Sequence, residues 1–487
     1  EAEEQLRQTL ALDPLDWWAR DLADDPMRCD ARTHLDIAME YAGAGFLDDA
    51  LRVVERAVPL AAAEQWRGTE PMTHYYRAAL LDGLGRTGDA AAARRAAAAA
   101  DVTYCFPHGL DDERVLRAAL AADPADARAT GLLGHWRYAA RRYGEAIELW
   151  RQAVDADPAD AVCWRNLGVA SHNIAGDSDE AMRCFDQAVL AAPGDGRLLY
   201  ERDQLARRVG APPSVRLAQL QQRPDLVEHR DDLTVEMAGL LAQVGNPAAA
   251  LELLRGRDFQ PWEGGEGQVL GVWERVHLIL ARGALRGGAA TRAEQLLRAA
   301  LDPPANLGEG PHLLANRADL MLVLGDALAA QGRQAEATQA WTDAATFVGD
   351  FQEMSPQPYS EKTLFSAQAW HRLGEDDRAG ALLTGLAGYA QELAATEATV
   401  DYFATSLPTL LLFTDDLQGR RELTVRFLNA QAAAGAGRLD EALSSLEAVL
   451  ARDPNHAAAH DLLLELRAGS SDLDGPRQDV TMKAATP

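Results

Sequence analysis

Thr130–Pro158, TGLLGHWRYAARRYGEAIELWRQAVDADP, and Cys163–Pro193, CWRNLGVASHNIAGDSDEAMRCFDQAVLAAP, decide the fold because they write one pattern twice. In the first, Leu133, Gly134, Ala146, Trp150, Ala153 and Pro158 take places seven, eight, twenty, twenty-four, twenty-seven and thirty-two of a repeat. Trp164, Leu167, Gly168, Ala181, Phe185, Ala188 and Pro193 follow in the second, with one residue inserted near Gly176. A period of about 34 residues with helical spacing inside it predicts a helical hairpin that stacks on its neighbours. The small residues allow the two helices to approach closely, and the aromatic residue fills the groove between neighbouring hairpins. The proline ends the second helix because it cannot continue the backbone ladder.

This grammar resembles the tetratricopeptide (TPR) repeat. It returns, more or less complete, in Thr33–Val58, Thr73–Ala100, Arg317–Ala345 (with Leu324, Gly325, Ala337, Trp341 and Ala344 in frame) and Leu423–Pro454. The resemblance implies an all-α fold, a TPR-type α-solenoid of stacked helical hairpins, irregular in the middle, with a kink expected between Gly194 and Gly310. Four regions are expected. Residues 1–193 form an N-terminal array that starts within a repeat, because Glu1–Pro14 matches a second helix with no first. Residues 194–316 are irregular repeats with two loops rich in glycine and acid, and 317–467 are regular repeats closed by a capping helix. The polar, breaker-rich 468–487 form a disordered tail. The capping helix, Ala457–Leu466, is expected to turn Asp461, Glu465 and Arg467 to water. Val102–His108 is an ordered insertion, Gly349–Ser360 a polar linker, and Tyr389–Leu412 a helix interrupted at Pro408.

Composition narrows the function. The 487 residues carry a formal charge of −27, which disfavours a surface that tracks phosphates on nucleic acid or an anionic membrane. Among 47 basic residues only Lys362 and Lys483 are lysines, which suggests GC-rich coding and an actinobacterial source. Cys29, Cys105, Cys163 and Cys184 stand far apart with no CxxC pair and fit reduced core thiols in a cytoplasmic protein. No run of apolar residues reaches the length of a membrane span. No nucleophile motif, phosphate-binding loop or cofactor motif is present, and His456 and His460, four apart on one helix, lack a third ligand for a metal.

Four segments resemble a narrower family. FPH (Phe106–His108), HRDDLTVE (His229–Glu236), FQPWEGGEG (Phe259–Gly267) and NLGEG (Asn306–Gly310) are similar to the TPR half of large bacterial proteins in which a β-rich domain of unknown function precedes the repeats. The similarity runs from about Cys105 to Ala345. It implies a sugar-mutarotase-like domain upstream and a connection to carbohydrate, and it assigns no catalytic residue.

Trp262, Glu263 and Glu266 are the leading candidates for ligand or interdomain contact. A Trp face with two carboxylates suits a sugar ring, whereas the same residues on glycines also suit a structural plug. His108, Asp231, Asp232 and Glu309 are expected to join them along one edge of the solenoid, although Asp231 and Asp232 also stand where a helix dipole favours acids. The sequence therefore predicts a scaffold, without cofactor or metal, that holds a protein partner or an upstream domain of the same polypeptide. The alternative is an accessory helical domain of a carbohydrate-active enzyme whose Phe259–Gly267 loop helps to form a sugar site.

Overall fold

The two template hairpins begin with the same short-range chemistry. In the turn Asp123-Pro124-Ala125-Asp126, Asp123 Oδ1 accepts from the Ala125 N–H at 3.1 Å and Asp126 Oδ1 accepts from the Ala129 N–H at 2.9 Å. Asp157-Pro158-Ala159-Asp160 repeats it, with Asp157 accepting from Ala159 and Asp160 from Cys163. Thus one aspartate builds the turn after a proline-stopped helix, and the next caps the following helix.

The computed structural model describes residues 1–65, 68–102, 104–262, 264–347, 349–352, 355–399 and 412–471. They form a TPR-type α-solenoid in two units, Glu1–Pro193 and Gly194–Pro487. In the first unit α1 (Ala2–Leu12) and α2 (Trp17–Leu22) precede the hairpins α3 (Ala31–Gly43) with α4 (Leu47–Ala63) and α5 (Glu70–Gly83) with α6 (Thr87–Ala99). A single helix, α7 (Leu110–Ala122), leads to the two template hairpins, α8 (Ala127–Ala139) with α9 (Tyr143–Ala156) and α10 (Ala161–Asn173) with α11 (Ser178–Ala191).

The glycine of the template is a steric requirement. A Cβ on Gly134 would stand 2.6 Å from the Trp150 ring, and one on Gly168 2.8 Å from Phe185. The aromatic side chain thus lies on the glycine of its own hairpin, while its core cluster reaches Cys163 and Leu167 of the next. The expectation of a filler between hairpins covers only half of its role.

The second unit opens irregularly. Pro212, Pro213 and Pro224 break the chain into α12 (Gly196–Arg208), α13 (Pro213–Leu220) and the one-turn α14 (Pro224–Val227). Hairpins then resume: α15 (Asp231–Gln243) with α16 (Pro247–Arg255), α17 (Gln268–Arg286) with α18 (Ala290–Leu301), and α19 (Ala318–Ala330) with α20 (Gln334–Ala345). A further pair follows, α21 (Thr363–Arg372) with α22 (Asp376–Ala395), then α23 (Leu417–Gly435) with α24 (Leu439–Arg452), and α25 (Ala457–Ser471) ends the described chain.

Three expectations are corrected here. The linker after α20 contains a two-stranded antiparallel ladder, β1 (Asp350–Gln352) with β2 (Ser355–Gln357), in which Phe351 pairs with Pro356. Tyr389 does not open a new helix but lies inside α22, in which Gly385 admits the Tyr359 phenol, 2.2 Å from where a Cβ would sit. The last helix runs through 468–471, and its acids do not both face water, as shown below. The interruption expected at Pro408, Glu263, and the tail from residue 472 onward lie outside the described residues.

Candidate functional site

The two loops rich in glycine and acid interlock within the second unit. Phe259 is buried and donates its N–H to the Asn306 carbonyl at 2.7 Å, while Asn306 Nδ2 donates to the carbonyls of Leu254 and Arg257. Gly308 (φ +74°) is needed at the crossing, since a Cβ there would meet the Phe259 carbonyl oxygen at 2.4 Å. The Trp262 ring packs on the Phe259 and Leu307 cluster and lies so close over Gly265 that a Cβ on that residue would fall 1.9 Å from it.

Acids hold the loop at both ends. Asp231 Oδ1 pairs with Arg257 Nε at 2.5 Å and its Oδ2 accepts from the Gln260 N–H at 3.0 Å. Glu309 accepts from the N–H groups of Gly267 at 2.7 Å and Leu270 at 2.8 Å, so its carboxylate caps the start of α17. Glu266 accepts from the Gly264 N–H at 2.9 Å inside the loop. Asp232 faces Arg230, at 2.6 and 3.1 Å. Of the expected site residues, Asp231, Trp262, Glu266 and Glu309 therefore share one brace between α15 and α17, with Asp232 beside it.

His108 belongs to the first unit. There the insertion ends on buried Asp112, whose Oδ2 accepts from the N–H groups of His108 and Gly109 and whose Oδ1 accepts from Tyr76 and Arg32. Burial alone would raise the Asp112 pKa, but the Gly109 N–H, Tyr76 and Arg32 outweigh it and hold the carboxyl below its ordinary value. The insertion leaves Tyr104 48% and Phe106 59% exposed, beside a cleft of about 220 Å³ lined by Arg32, Met72 and Pro107.

A third feature was not foreseen. The turn before α25 reads Asp453-Pro454-Asn455-His456, and Asn455 stands where the sister turns carry Ala125 and Ala159. Its Oδ1 accepts from Arg216 Nη1 at 2.9 Å and its Nδ2 donates to the Ala211 carbonyl at 3.0 Å. Gln243 donates to the Pro454 carbonyl at 3.0 Å. Farther along α25, Asp461 receives a bidentate pair from Arg275, at 2.7 and 2.9 Å, and Glu465 stands 2.8 Å from Arg282. Burial would raise the Asp461 pKa, yet Arg275 and His460 bring it below the ordinary range.

The last helix thus docks against α12, α13, α15 and α17, and the second unit closes on itself. Arg216, its side chain 2% exposed, anchors the seam by pairing with Asp203 and with Glu236 of the HRDDLTVE segment. Of the three charges expected at the water-facing surface, only Arg467 remains there, in a pair with Glu447 in which both side chains are more than half exposed.

The closed unit contains a cavity of about 990 Å³ walled by α17, α19, α21, α22, α23 and α25. Among the described residues no group of three or more His, Cys, Asp and Glu is arranged to hold a metal ion, and no helix is long and apolar enough to cross a membrane.

No protein-family model matches the chain. Solved TPR structures are similar to it. The TPR protein YrrB, described as having an unusual peptide-binding site, is 16% identical over 48% of this chain and 91% of its own, with a TM-score of 0.27. Yeast Tom70 is 12% identical over 97% of this chain and 96% of its own, at 0.30. A TPR protein from Parabacteroides merdae is 12% identical over 61% and 98%, at 0.25. Similarity at this level carries nothing about what the chain binds.

Proposed function

We propose that this chain is a scaffold that binds a protein partner through its N-terminal unit. The observation that supports the reading is the insertion before α7, which holds two aromatic side chains, Tyr104 and Phe106, out toward water. Buried Cys105 anchors the backbone between them and the Asp112 cap anchors it after them. Rigid, exposed aromatic side chains next to a cleft are the anchors that protein interfaces use most, because they bury large apolar area for little lost rotamer freedom. A chain of charge −27 suits a basic or neutral partner.

Selecting a library of displayed short peptides on the full chain tests this. Enriched peptides are expected to lose at least about tenfold in affinity when Tyr104 and Phe106 are both replaced by Ala. Binders indifferent to that double variant would contradict the assignment. Where the partner is a β-rich domain preceding Glu1 in the same polypeptide, as the family resemblance implies, the double variant should also release that domain supplied in trans. The brace of Asp231, Trp262, Glu266 and Glu309 is read as structural, its acids being engaged in holding the loop, and the sugar-site alternative is not carried further.

A further inference from the structure

The cavity of the second unit has the size of a site for a small organic molecule, for which about 300–1,000 Å³ is usual. Its walls are mixed. Leu285, Val323 and Leu383 supply apolar surface, and four arginines line it with them, of which Arg438 is held by Glu441 at 2.7 Å. Arg372 is held by Asp326, at 3.0 and 3.3 Å, and Arg282 stands beside Glu465. Arg286, one turn beyond Arg282 on α17, has no ion pair or hydrogen bond of its side chain among the described residues. The Nε–H of Arg282 is buried without an acceptor. Within a strongly acidic protein, this wall therefore offers one uncompensated cation to whatever enters.

The opposite wall is cut back. Gly380 lies inside α22, where glycine costs the helix about 1 kcal/mol relative to alanine. No neighbour demands it, since a Cβ there would meet nothing within 4 Å. Gly385 in the same helix makes room for Tyr359, whereas Gly380 lines the cavity.

We propose that this cavity binds a small amphipathic organic anion. Its single negative group would lie against Arg286, and its apolar body against Leu285, Val323 and Leu383. Because the ligand would touch α17, α19 and α22 at once, it would also tighten the closed unit. The site is separate from the surface proposed for the protein partner and stands or falls independently of it.

Anilinonaphthalene sulfonate, an aromatic body with one sulfonate, is a suitable probe, with uncharged phenylnaphthylamine as its neutral counterpart. Titrated into the full chain, the sulfonate is expected to give a saturable, blue-shifted fluorescence signal. Gly380→Leu should abolish that component by filling the cavity, with thermal melting unchanged or raised. Arg286→Ala, at an exposed position where folding is not at risk, should weaken the sulfonate about tenfold and leave the neutral probe unaffected. No saturable signal, a signal that survives Gly380→Leu in a folded variant, or an Arg286→Ala variant that binds the sulfonate as wild type does would overturn the proposal.

Discussion

Arg216 and Asn455 are 239 positions apart in the chain and 2.9 Å apart in space. In a linear solenoid each hairpin touches only its neighbours, and stability is close to a sum of local terms. This contact belongs to a different regime, in which the start and the end of the second unit support each other. Its unfolding is then expected to be cooperative, without fraying from α25.

Replacing Asn455 by Ala leaves Arg216 Nη1 and the Ala211 carbonyl without this partner. Bonds of this kind to a charged group contribute about 1.5–3 kcal/mol. The variant is expected to lose stability by that order. Hydrogen exchange should show lost protection in both α25 and the α12–α13 segment, while the first unit is unaffected. Protection lost in α25 alone would speak against closure.

The glycines that meet an aromatic ring are separable from those that meet nothing. A Cβ on Gly325 would lie 2.3 Å from Trp341, so Gly325→Ala should cost about 1–3 kcal/mol by overpacking. Gly283, inside α17, has no neighbour within 4 Å of a Cβ, and Gly283→Ala should stabilise by up to about 1 kcal/mol. Denaturant titration of the two variants checks the opposite signs.

Glu309 joins the two loops by capping α17. Glu309→Ala is expected to cost about 1–2 kcal/mol and to make the loop around Trp262 a site of rapid proteolytic cleavage. Glu309→Gln, which keeps one acceptor, should fall between. Equal proteolysis in all three proteins would show that the loop is held by other means.

Acid stability should be set in part by two buried histidines. His277 is fully buried, with Nδ1 2.9 Å from the Trp273 carbonyl and Nε2 without a partner, and burial pulls its pKa down from 6.5 to about 4. His135 is likewise lowered by burial to about 4, and its Nδ1 accepts from Trp150 Nε1 at 2.8 Å. In each case the folded state favours the neutral ring, so the unfolded chain takes up the proton first. The contribution is complete above pH 6.5 and is lost as pH falls toward 4, at up to about 1.4 kcal/mol per pH unit per histidine. His277→Leu should flatten the dependence for the second unit alone over that window, as read by melting between pH 4 and 7. An unchanged profile would assign the loss to the carboxylates.

The hairpins were legible in the sequence because their determinants are local and repeated: a glycine under an aromatic ring sixteen residues on, as with Gly134 and Trp150, and an aspartate at the start of the first helix of each template hairpin. The closure was not, because its determinants are neither. Asp461 on a terminal helix reads as a solvent-facing charge, and its partner Arg275 is 186 positions away, where it reads the same. Only Asn455, in a place that the two template turns give to alanine, marks the seam, and one departure in a turn has no period to reveal it. Asp231, Trp262 and Glu309 stood out as unusual residues and do meet in space, but spacing cannot distinguish a brace from a binding site. The cavity draws its lining from six helices and leaves only Gly380 as a trace.

The central claim is that the second unit closes on itself, and the distance between nitroxide labels on Val209 and Ala451 tests it most directly. Both positions are exposed, and Cys29, the free thiol that is not buried, would first be replaced by Ser. Stacked helices lie about 8–10 Å apart, so an open array of this length would hold the labels at least about 50 Å from each other, with a broad spread. The account predicts a single narrow distribution centred well below that distance, moving outward in Asn455→Ala. A broad distribution at the longer distance in the unmodified chain would contradict it.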